Sequence, residues 1–183
     1  LAVVAGFNIS NTVANLFNVV FIALGSAISI IVGQQLGAGR LEEAVDTDRK
    51  MIVFSVFCCF VIGVCMFAIA PFFPRIYNTT EEVRGLAKQF IRIASACMPL
   101  YGFMHATYFT LRSGGRTVIT FLFDSVYIWV VDIPLAFVLT RFTGVPIVSI
   151  YLSCQLIEII KCIIGYVMVK KKIWVNNMVM EQQ

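Results

Sequence analysis

Residues 51–74 read MIVFSVFCCFVIGVCMFAIAPFFP, a run of twenty-four residues that contains no charged side chain. A helix crosses the hydrocarbon core of a bilayer with about 20 apolar residues, so this run is long enough to span a membrane. Barrel strands that span membranes are shorter and alternate apolar with polar residues, which this run does not do. Because lipid offers no hydrogen-bond partner to free backbone groups, the run predicts a transmembrane helix.

The rest of the chain repeats this pattern. Further apolar runs cover 10–36, 87–111, 117–140 and 147–169, and a polar tail covers 170–183. Of the 183 residues 60% are hydrophobic and 13% are charged, about half the charged share of soluble domains. This composition excludes a soluble enzyme, a nucleic-acid binder and a secreted domain built on disulfides. We expect an all-α, polytopic membrane helix bundle with about five transmembrane helices, whose short loops make consecutive helices antiparallel neighbours.

The apolar runs lack the motifs of metal and catalytic sites. All six cysteines lie inside these runs, no CxxC is present, and the single His105 cannot complete a Cys/His zinc set. Cysteine in such surroundings behaves as a small buried hydrophobe, so we expect no disulfide, no metal and no cofactor. No HExxH or GxGD motif stands in a run, so we do not expect an enzyme.

The positive charges are distributed unevenly between the two ends of the predicted helices. The first loop, the third loop and the C-terminal tail together carry eight Lys and Arg residues, and the loops at the opposite end carry four. Because cytoplasmic loops are enriched in Lys and Arg, we expect the first group to be cytoplasmic, in a multi-pass protein of a bacterial plasma membrane. Trp174, just after the lysines of the tail, is expected to anchor at the membrane interface. An odd number of spans places Leu1 outside, so we expect a further helix upstream.

An amide stripe follows one face of the first run. It consists of four residues at steps of three and four: Asn8, Asn11, Asn15 and Asn18. On a helix these residues lie within about 80° of one another. Lipid does not solvate amides, so the stripe faces protein or a watered cavity. Interhelical hydrogen bonding and the lining of a substrate cavity both remain open.

The third run carries a second polar stripe. It is formed by Tyr101, His105, Tyr108 and Arg112. Histidine exchanges protons near neutral pH, so His105 is a candidate for ion coupling, and a neutral hydrogen-bonding histidine is the alternative. Tyr101 and Tyr108 are candidates for the wall of a substrate cavity.

The fourth run contains two carboxylates, Asp124 and Asp132. A charge near the bilayer centre costs at least about 2.5–3.5 kcal/mol, so such residues are functional candidates. Pro134 cannot donate to the carbonyl group of Val130, and a free carbonyl one turn from Asp132 suits a proton or cation site. A carboxyl group bonded to a neighbouring helix is the structural alternative. Tyr127, a candidate for the substrate cavity, shares the face of Asp124, whereas Asp132 lies about 80° away on a regular helix.

The fifth run contains Glu158 and Lys161, three residues apart. Charges at this spacing can neutralise each other on one helix face, which favours a structural role over ion coupling by Glu158.

One contact between spans is also predicted. The turn after the third run centres near Gly114, with His105 nine residues before it and Asp124 ten after it. Both residues then lie roughly 14–15 Å from the turn, so we expect them to face each other, directly or through a water molecule.

Several short segments follow one another in a set order along the chain. They are GQQLGAGR (33–40), EEA (42–44), YNTTEEV (77–83), FIRI (90–93), LRSGGRT (111–117), IPLA (133–136) and KIW (172–174). In this order they resemble multidrug and toxic compound extrusion (MATE) transporters over nearly the whole chain. The resemblance implies helices eight to twelve of a twelve-helix protein, so that 1–183 is a fragment of the C-terminal six-helix lobe.

The resemblance also implies a function. MATE transporters are secondary active transporters that exchange H⁺ or Na⁺ for organic, often cationic, drugs by alternating access of two lobes. The expected partners are therefore small organic cations, membrane lipids and the N-terminal lobe, with no nucleic acid. One branch of the family has an acidic cation ligand ten residues before the Leu-Arg pair, where this chain has Tyr101. This departure leaves four ion-coupling candidates: Asp124, Asp132, His105 and Glu158.

Two other functions fit less well. A flippase for lipid-linked substrates, from the same superfamily, would carry cationic cavity residues, whereas the intramembrane residues here are mainly acidic and amide. A non-transporting membrane scaffold subunit would lack buried ionisable residues. The sequence therefore favours an efflux transporter.

Overall fold

The computed structural model describes residues 1–115 and 117–175, and this part of the chain is a bundle of helices. The first three helices are α1 (Ala2–Gly37), α2 (Leu41–Ile69) and α3 (Glu81–Ser113), with a short 3-10 helix (Phe73–Ile76) between α2 and α3. The fourth span consists of α4 (Thr117–Phe121), two π-helical segments (Leu122–Val126 and Ile128–Asp132) and α5 (Ile133–Phe142), and is followed by α6 (Ile147–Lys170). Arg116 and the end of the predicted tail, 176–183, lie outside the described residues.

Most of the predicted spans correspond to long apolar helices. Among the described residues, four helices are long and apolar enough to cross a membrane: Ala2–Gly37, Leu41–Ile69, Val118–Phe142 and Ile147–Lys170. The helices differ from the predicted runs mainly at their ends. Instead of covering 51–74, α2 starts ten residues earlier, at Leu41. The negative charges of Glu42 and Glu43 in its first turn stabilise this start, because the N-terminal end of the helix dipole is positive. It stops at Ile69 because Pro71 and Pro74 follow.

The third predicted span forms α3, the helix around which the others pack. It contacts α1, α2 and α6, and fifteen of its residues are buried, compared with nine in α1 and seven in α2. Because protein rather than lipid surrounds much of α3, the helix can carry buried polar residues such as Ser95, Thr107 and Thr110. This environment explains why α3 is less apolar than the other spans.

The buried face of α2 consists mainly of small residues, whereas its opposite face exposes large apolar residues. The buried stripe of α2 consists of Ala44, Asp48, Ile52, Ser55, Cys59, Gly63 and Met66. The opposite face exposes Phe54, Phe57 and Phe60, each by more than half of its surface. Small residues let helices approach closely in a membrane, and a Cβ atom at Gly63 would lie only 2.7 Å from the carbonyl oxygen of Ser95.

One end of the bundle gathers the first loop, the third loop and the chain after α6. Leu36, Ala44 and Leu111 pack there with Trp174, so these segments share one side, as the charge distribution predicts. Trp174, which was expected to anchor at the membrane interface, is packed inside the bundle and is not exposed to lipid. Its ring is only 1% exposed, because its backbone fits against Gly114, where any side chain would collide with the carbonyl oxygen of Trp174.

Candidate functional site

A cluster of ionisable side chains lies between the fourth span and α6. It is formed by Asp124, Asp132, Glu158 and Lys161, and we refer to it as the carboxylate cluster. The ammonium group of Lys161 donates to Oδ1 of Asp124 at 2.8 Å. The Lys161 side chain is only 5% exposed, whereas that of Asp124 is 46% exposed. The pair therefore connects the interior of the bundle to its surface.

The π-helical segments of the fourth span bring its two carboxylates onto one face. A π turn closes from residue i to i+5, one residue more than an α turn. The eight residues from Asp124 to Asp132 therefore complete about two turns instead of overshooting by about 80°. Both side chains consequently interact with residues of α6, which corrects the expectation that they diverge.

Proline contributes to this geometry. Pro134 lies in the first turn of α5, and its ring nitrogen has no hydrogen to donate. Just before it, the N–H of Ile133 donates to the carbonyl group of Ile128, five residues earlier. The backbone before Pro134 thus contains a π turn, a form that helices often adopt at functional sites. That the carbonyl group of Val130 is free stays a prediction.

The carboxyl groups of Asp132 and Glu158 interact with each other across the two spans. One oxygen atom of each, Oδ1 of Asp132 and Oε2 of Glu158, is buried, and no N–H or O–H group of the other described residues donates to it. A buried polar atom without a partner is costly. The two carboxyl groups are close enough to hydrogen-bond to each other. Because ionised carboxylates only accept hydrogen bonds, such a bond needs a proton on one of the two groups.

Lys161 pairs with a different residue from the one that the sequence suggests. The i,i+3 spacing favours Glu158, but the ion pair is formed with Asp124 on the neighbouring span. The aromatic ring of Tyr127 also lies near the ammonium group, with its centroid 5.7 Å away, and its hydroxyl donates to the carbonyl group of Ile157 at 2.8 Å. Lys161 is thus a member of the site that sequence reasoning treated only as a counterion for Glu158. A lysine in the middle of an apolar run could have identified Lys161 as a member of the site from the sequence alone.

His105 and Asp124 line the same cleft but do not bond directly. Nδ1 of His105 lies 2.9 Å from the carbonyl oxygen of Tyr101, and its ring stacks on Phe21 with centroids 5.4 Å apart. Asp124 instead pairs with Lys161. Both side chains thus line one cleft, with no direct hydrogen bond between them among the described residues, and their facing each other through a water molecule stays a prediction.

This cleft lies between α3, the fourth span and α6 and has a volume of about 240 Å³. Its lining consists of Met104, His105, Tyr108, Asp124 and Lys161. A second cleft, of about 280 Å³, continues from Tyr108 and Asp124 to Arg112. The two clefts combine aromatic rings with one carboxylate, that of Asp124, and also contain the cations Lys161 and Arg112. Aromatic rings and a carboxylate can bind an organic cation where these cations do not compete for Asp124.

The other predicted cavity residues occupy two separate regions. Tyr101 lies beside Tyr151, Gln155 and Glu158 of α6, so it connects α3 to the carboxylate cluster. The amide stripe lies on the side of α1 that faces away from α3. Asn8 and Asn15 are exposed, Asn11 and Asn18 are half-buried, and the described residues offer none of the four side chains a hydrogen bond. Interhelical bonding within the described bundle therefore does not explain the stripe.

Sequence reasoning also missed Asp48. It lies on the buried stripe of α2, is 1% exposed, and accepts a hydrogen bond of 2.6 Å from the hydroxyl group of Thr110. The spacing of the sequence indicated that Asp48 is buried, because it lies four residues before Ile52 and four after Ala44 on one helix face. This bond fastens α2 to α3 at the end of the bundle that contains Trp174.

The chain is similar to proteins of known family. A family model, MatE, matches residues 2–138. "Probable multidrug resistance protein YoeA" of Bacillus subtilis is 23% identical over 149 residues, which are 81% of this chain and 32% of that protein. "Probable multidrug resistance protein NorM" of Oceanobacillus iheyensis is 26% identical over 138 residues, which are 72% of this chain and 29% of that protein. The chain thus spans about a third of the length of these relatives, and no solved structure matches it.

Proposed function

The chain belongs to the MatE family and is a multi-pass membrane helix bundle, and on that premise we propose that it forms part of a multidrug efflux transporter. In this proposal it is most of the C-terminal lobe, and a second lobe completes the pathway. Transport exchanges H⁺ or Na⁺ for organic cations by alternating access. The names of the relatives support efflux of drugs, and the carboxylate cluster is the observation that carries the coupling.

The ion binds, in this proposal, between Asp132 and Glu158. Their neighbouring carboxyl groups repel each other when both are ionised, and a proton or a Na⁺ ion relieves that repulsion. The buried oxygen atoms of this pair, to which no N–H or O–H group of the other described residues donates, provide the acceptors for such an ion. The π turn before Pro134 places backbone carbonyl groups nearby, as in the broken helices of other transporters.

The substrate binds in the cleft beside Asp124. The rings of His105 and Tyr108 and the carboxylate of Asp124 line it, and such surroundings attract an organic cation by charge and by cation–π contact. In the present structure the carboxylate of Asp124 forms an ion pair with Lys161. A cationic substrate must therefore compete with Lys161 for Asp124.

Lys161 couples the two sites. It pairs with Asp124 and also interacts electrostatically with Asp132 and Glu158. When one H⁺ or Na⁺ ion binds, the pair formed by Asp132 and Glu158 loses one of its two negative charges, so that Lys161 stays on Asp124 and excludes the substrate. When the ion leaves, the two carboxylates attract Lys161, and Asp124 becomes free to bind the cationic substrate. Ion and substrate then bind in alternation, which is the requirement for exchange.

The alternatives of flippase and scaffold are less well supported. The site has three carboxyl groups and one lysine, a balance that suits a cationic substrate better than a phosphate. Buried charges are costly in a membrane, and a scaffold subunit has no function that requires them. An efflux transporter in a bacterial plasma membrane, with the C-terminus cytoplasmic, remains the proposal.

Asp132→Asn in the full-length protein tests this function. The substitution keeps the size of the side chain and removes the charge that binds the ion. In proteoliposomes, we expect ethidium transport driven by an imposed H⁺ or Na⁺ gradient to fall to the level measured without a gradient, while ethidium binding persists. The gradient that drives the wild-type protein identifies the ion.

A surface carboxylate provides the matched control. Asp46 pairs with Lys50 in the exposed first turns of α2, so Asp46→Asn should leave gradient-driven transport unchanged. Wild-type transport by Asp132→Asn would remove Asp132 from the coupling site.

A further inference from the structure

A groove with basic residues at its rim lies at the end of the bundle where α2 begins and α6 ends. Its volume is about 410 Å³, and we refer to it as the basic groove. Apolar side chains from three helices form its walls, among them Val53 of α2, Phe103 of α3 and Tyr166 of α6. Val53 and Tyr166 are more than half exposed, so the groove opens on the side of the bundle that lipid covers.

Three cations border the basic groove: Arg49, Lys170 and Lys172. All three are exposed, and none forms an ion pair within residues 1–115 and 117–175. By contrast, the adjacent Lys50 is paired with Asp46. Asp48 also lines the groove, but its carboxyl group is buried and bonded to Thr110. The rim therefore carries a net positive charge that the described residues leave unneutralised.

The chain after α6 holds Lys172 at the rim. The N–H of Lys172 donates to the carbonyl group of Val169, and that of Ile173 to Met168, which is the pattern of a Schellman helix end. Lys172 occupies the left-handed position of this motif, with a φ of 54°, where glycine is the usual residue. Trp174 is then buried against Gly114. The position of Lys172 is thus set by packing, at the cost of backbone strain.

We propose that the basic groove binds the headgroup of an anionic phospholipid, with the phosphate between Arg49, Lys170 and Lys172 and an acyl chain along Val53 and Tyr166. The cations complement the phosphate, and basic pockets between helices at a membrane surface are suited to such headgroups. A soluble anion would gain nothing from the apolar walls. The groove adjoins Trp174 and the bond between Asp48 and Thr110, so the bound lipid would brace the end of the bundle.

The test measures lipid binding to the purified full-length protein in nanodiscs that contain phosphatidylglycerol and phosphatidylcholine, with the retained lipids counted by native mass spectrometry. We expect the wild-type protein to retain phosphatidylglycerol preferentially. Each cation removed should lower this preference by about fivefold, so that Arg49→Gln with Lys170→Gln nearly abolishes it. Lys171→Gln, which alters an exposed lysine beside the groove, should leave it unchanged.

Lys172→Gly separates binding from folding. Glycine suits the left-handed backbone, so this variant should be at least as stable as the wild-type protein and still bind phosphatidylglycerol about fivefold more weakly. Unchanged lipid ratios in Lys172→Gly and in the double variant would overturn the proposal. Equal competition by glycerol phosphate, which has no acyl chain, would also overturn it, because it would identify a site for soluble anions.

Discussion

Lys161 is the residue that sets the charge balance of the carboxylate cluster. The buried ammonium group of Lys161 pairs directly with Asp124. It also acts electrostatically on Glu158, one turn earlier on α6, and on Asp132 of the fourth span. In surroundings of low dielectric constant these interactions are stronger than in water. A change in the ionisation of any one carboxyl group therefore alters the force on Lys161.

Removal of Lys161 should destabilise the protein through the charge that it leaves behind. We expect Lys161→Met to lower the free energy of unfolding by about 1–3 kcal/mol, because Asp124 loses its partner. The double variant Lys161→Met with Asp124→Leu should recover part of the loss, since both charges of the ion pair are then removed together. Thermal unfolding of the full-length protein in detergent measures both, with the exposed Lys171→Met as control. A double variant less stable than Lys161→Met alone would contradict the pairing.

The sequence identifies the members of the cluster more easily than their partners. Asp124, Asp132 and Glu158 are recognisable because charges are rare in apolar runs. The ion-pair partner of Lys161 cannot be recognised from the sequence. Glu158, three residues away on the same helix, and an acidic residue on another span could each pair with Lys161. Only the packing of α6 against the fourth span decides between them.

The fourth span is the element in which a regular helix was the wrong assumption. A period of 100° per residue separates Asp124 from Asp132, whereas two π segments bring them to one face. Pro134 indicated that the backbone is irregular here, but sequence alone does not reveal how many residues a distorted turn contains. By contrast, the regular periodicity of α2 and α6 was sufficient to predict these helices.

The close packing of α2 on α3 predicts the effect of one added methyl group. Gly63→Ala should lower the free energy of unfolding by about 1–3 kcal/mol, because the new Cβ atom meets the backbone of Ser95. Gly85→Ala, on α3, meets no atom within 4 Å in the described chain, so its gain in helix propensity of up to about 1 kcal/mol should dominate. Thermal unfolding in detergent compares the two variants. Equal stability would show that α2 and α3 are not in this contact.

As a whole, the molecule exposes two kinds of surface. Large apolar side chains such as Phe57, Phe60 and Trp129 are exposed, as expected where lipid covers a bundle. The amide stripe on α1 is also exposed or half-buried, although lipid does not solvate amides. The chain matches about a third of the length of its relatives, so in our proposal the stripe faces the cavity between the two lobes. A sequence pattern can reveal such a face, but it cannot identify what covers the face.

The orientation of the molecule is testable with introduced cysteines. Asp46 lies in the first turns of α2 and Thr79 lies in the loop before α3, at opposite ends of the bundle. The end that contains Asp46 carries more positive charge. In intact cells that express a cysteine-free full-length protein, an impermeant maleimide should label Thr79→Cys and should label Asp46→Cys only after permeabilisation. The reverse pattern would overturn the orientation, and labelling of both from outside would contradict the bundle.

The central claim is that ion and substrate exclude each other through Asp132, Glu158 and Lys161, and equilibrium binding tests it most directly. Coupling between two ligands is reciprocal, so the affinity of the purified full-length protein for ethidium should fall as H⁺ or Na⁺ concentration rises. We predict a decrease of about 5- to 150-fold for the wild-type protein and none for Asp132→Asn with Glu158→Gln. An ion dependence as steep in that double variant as in the wild-type protein would contradict the account.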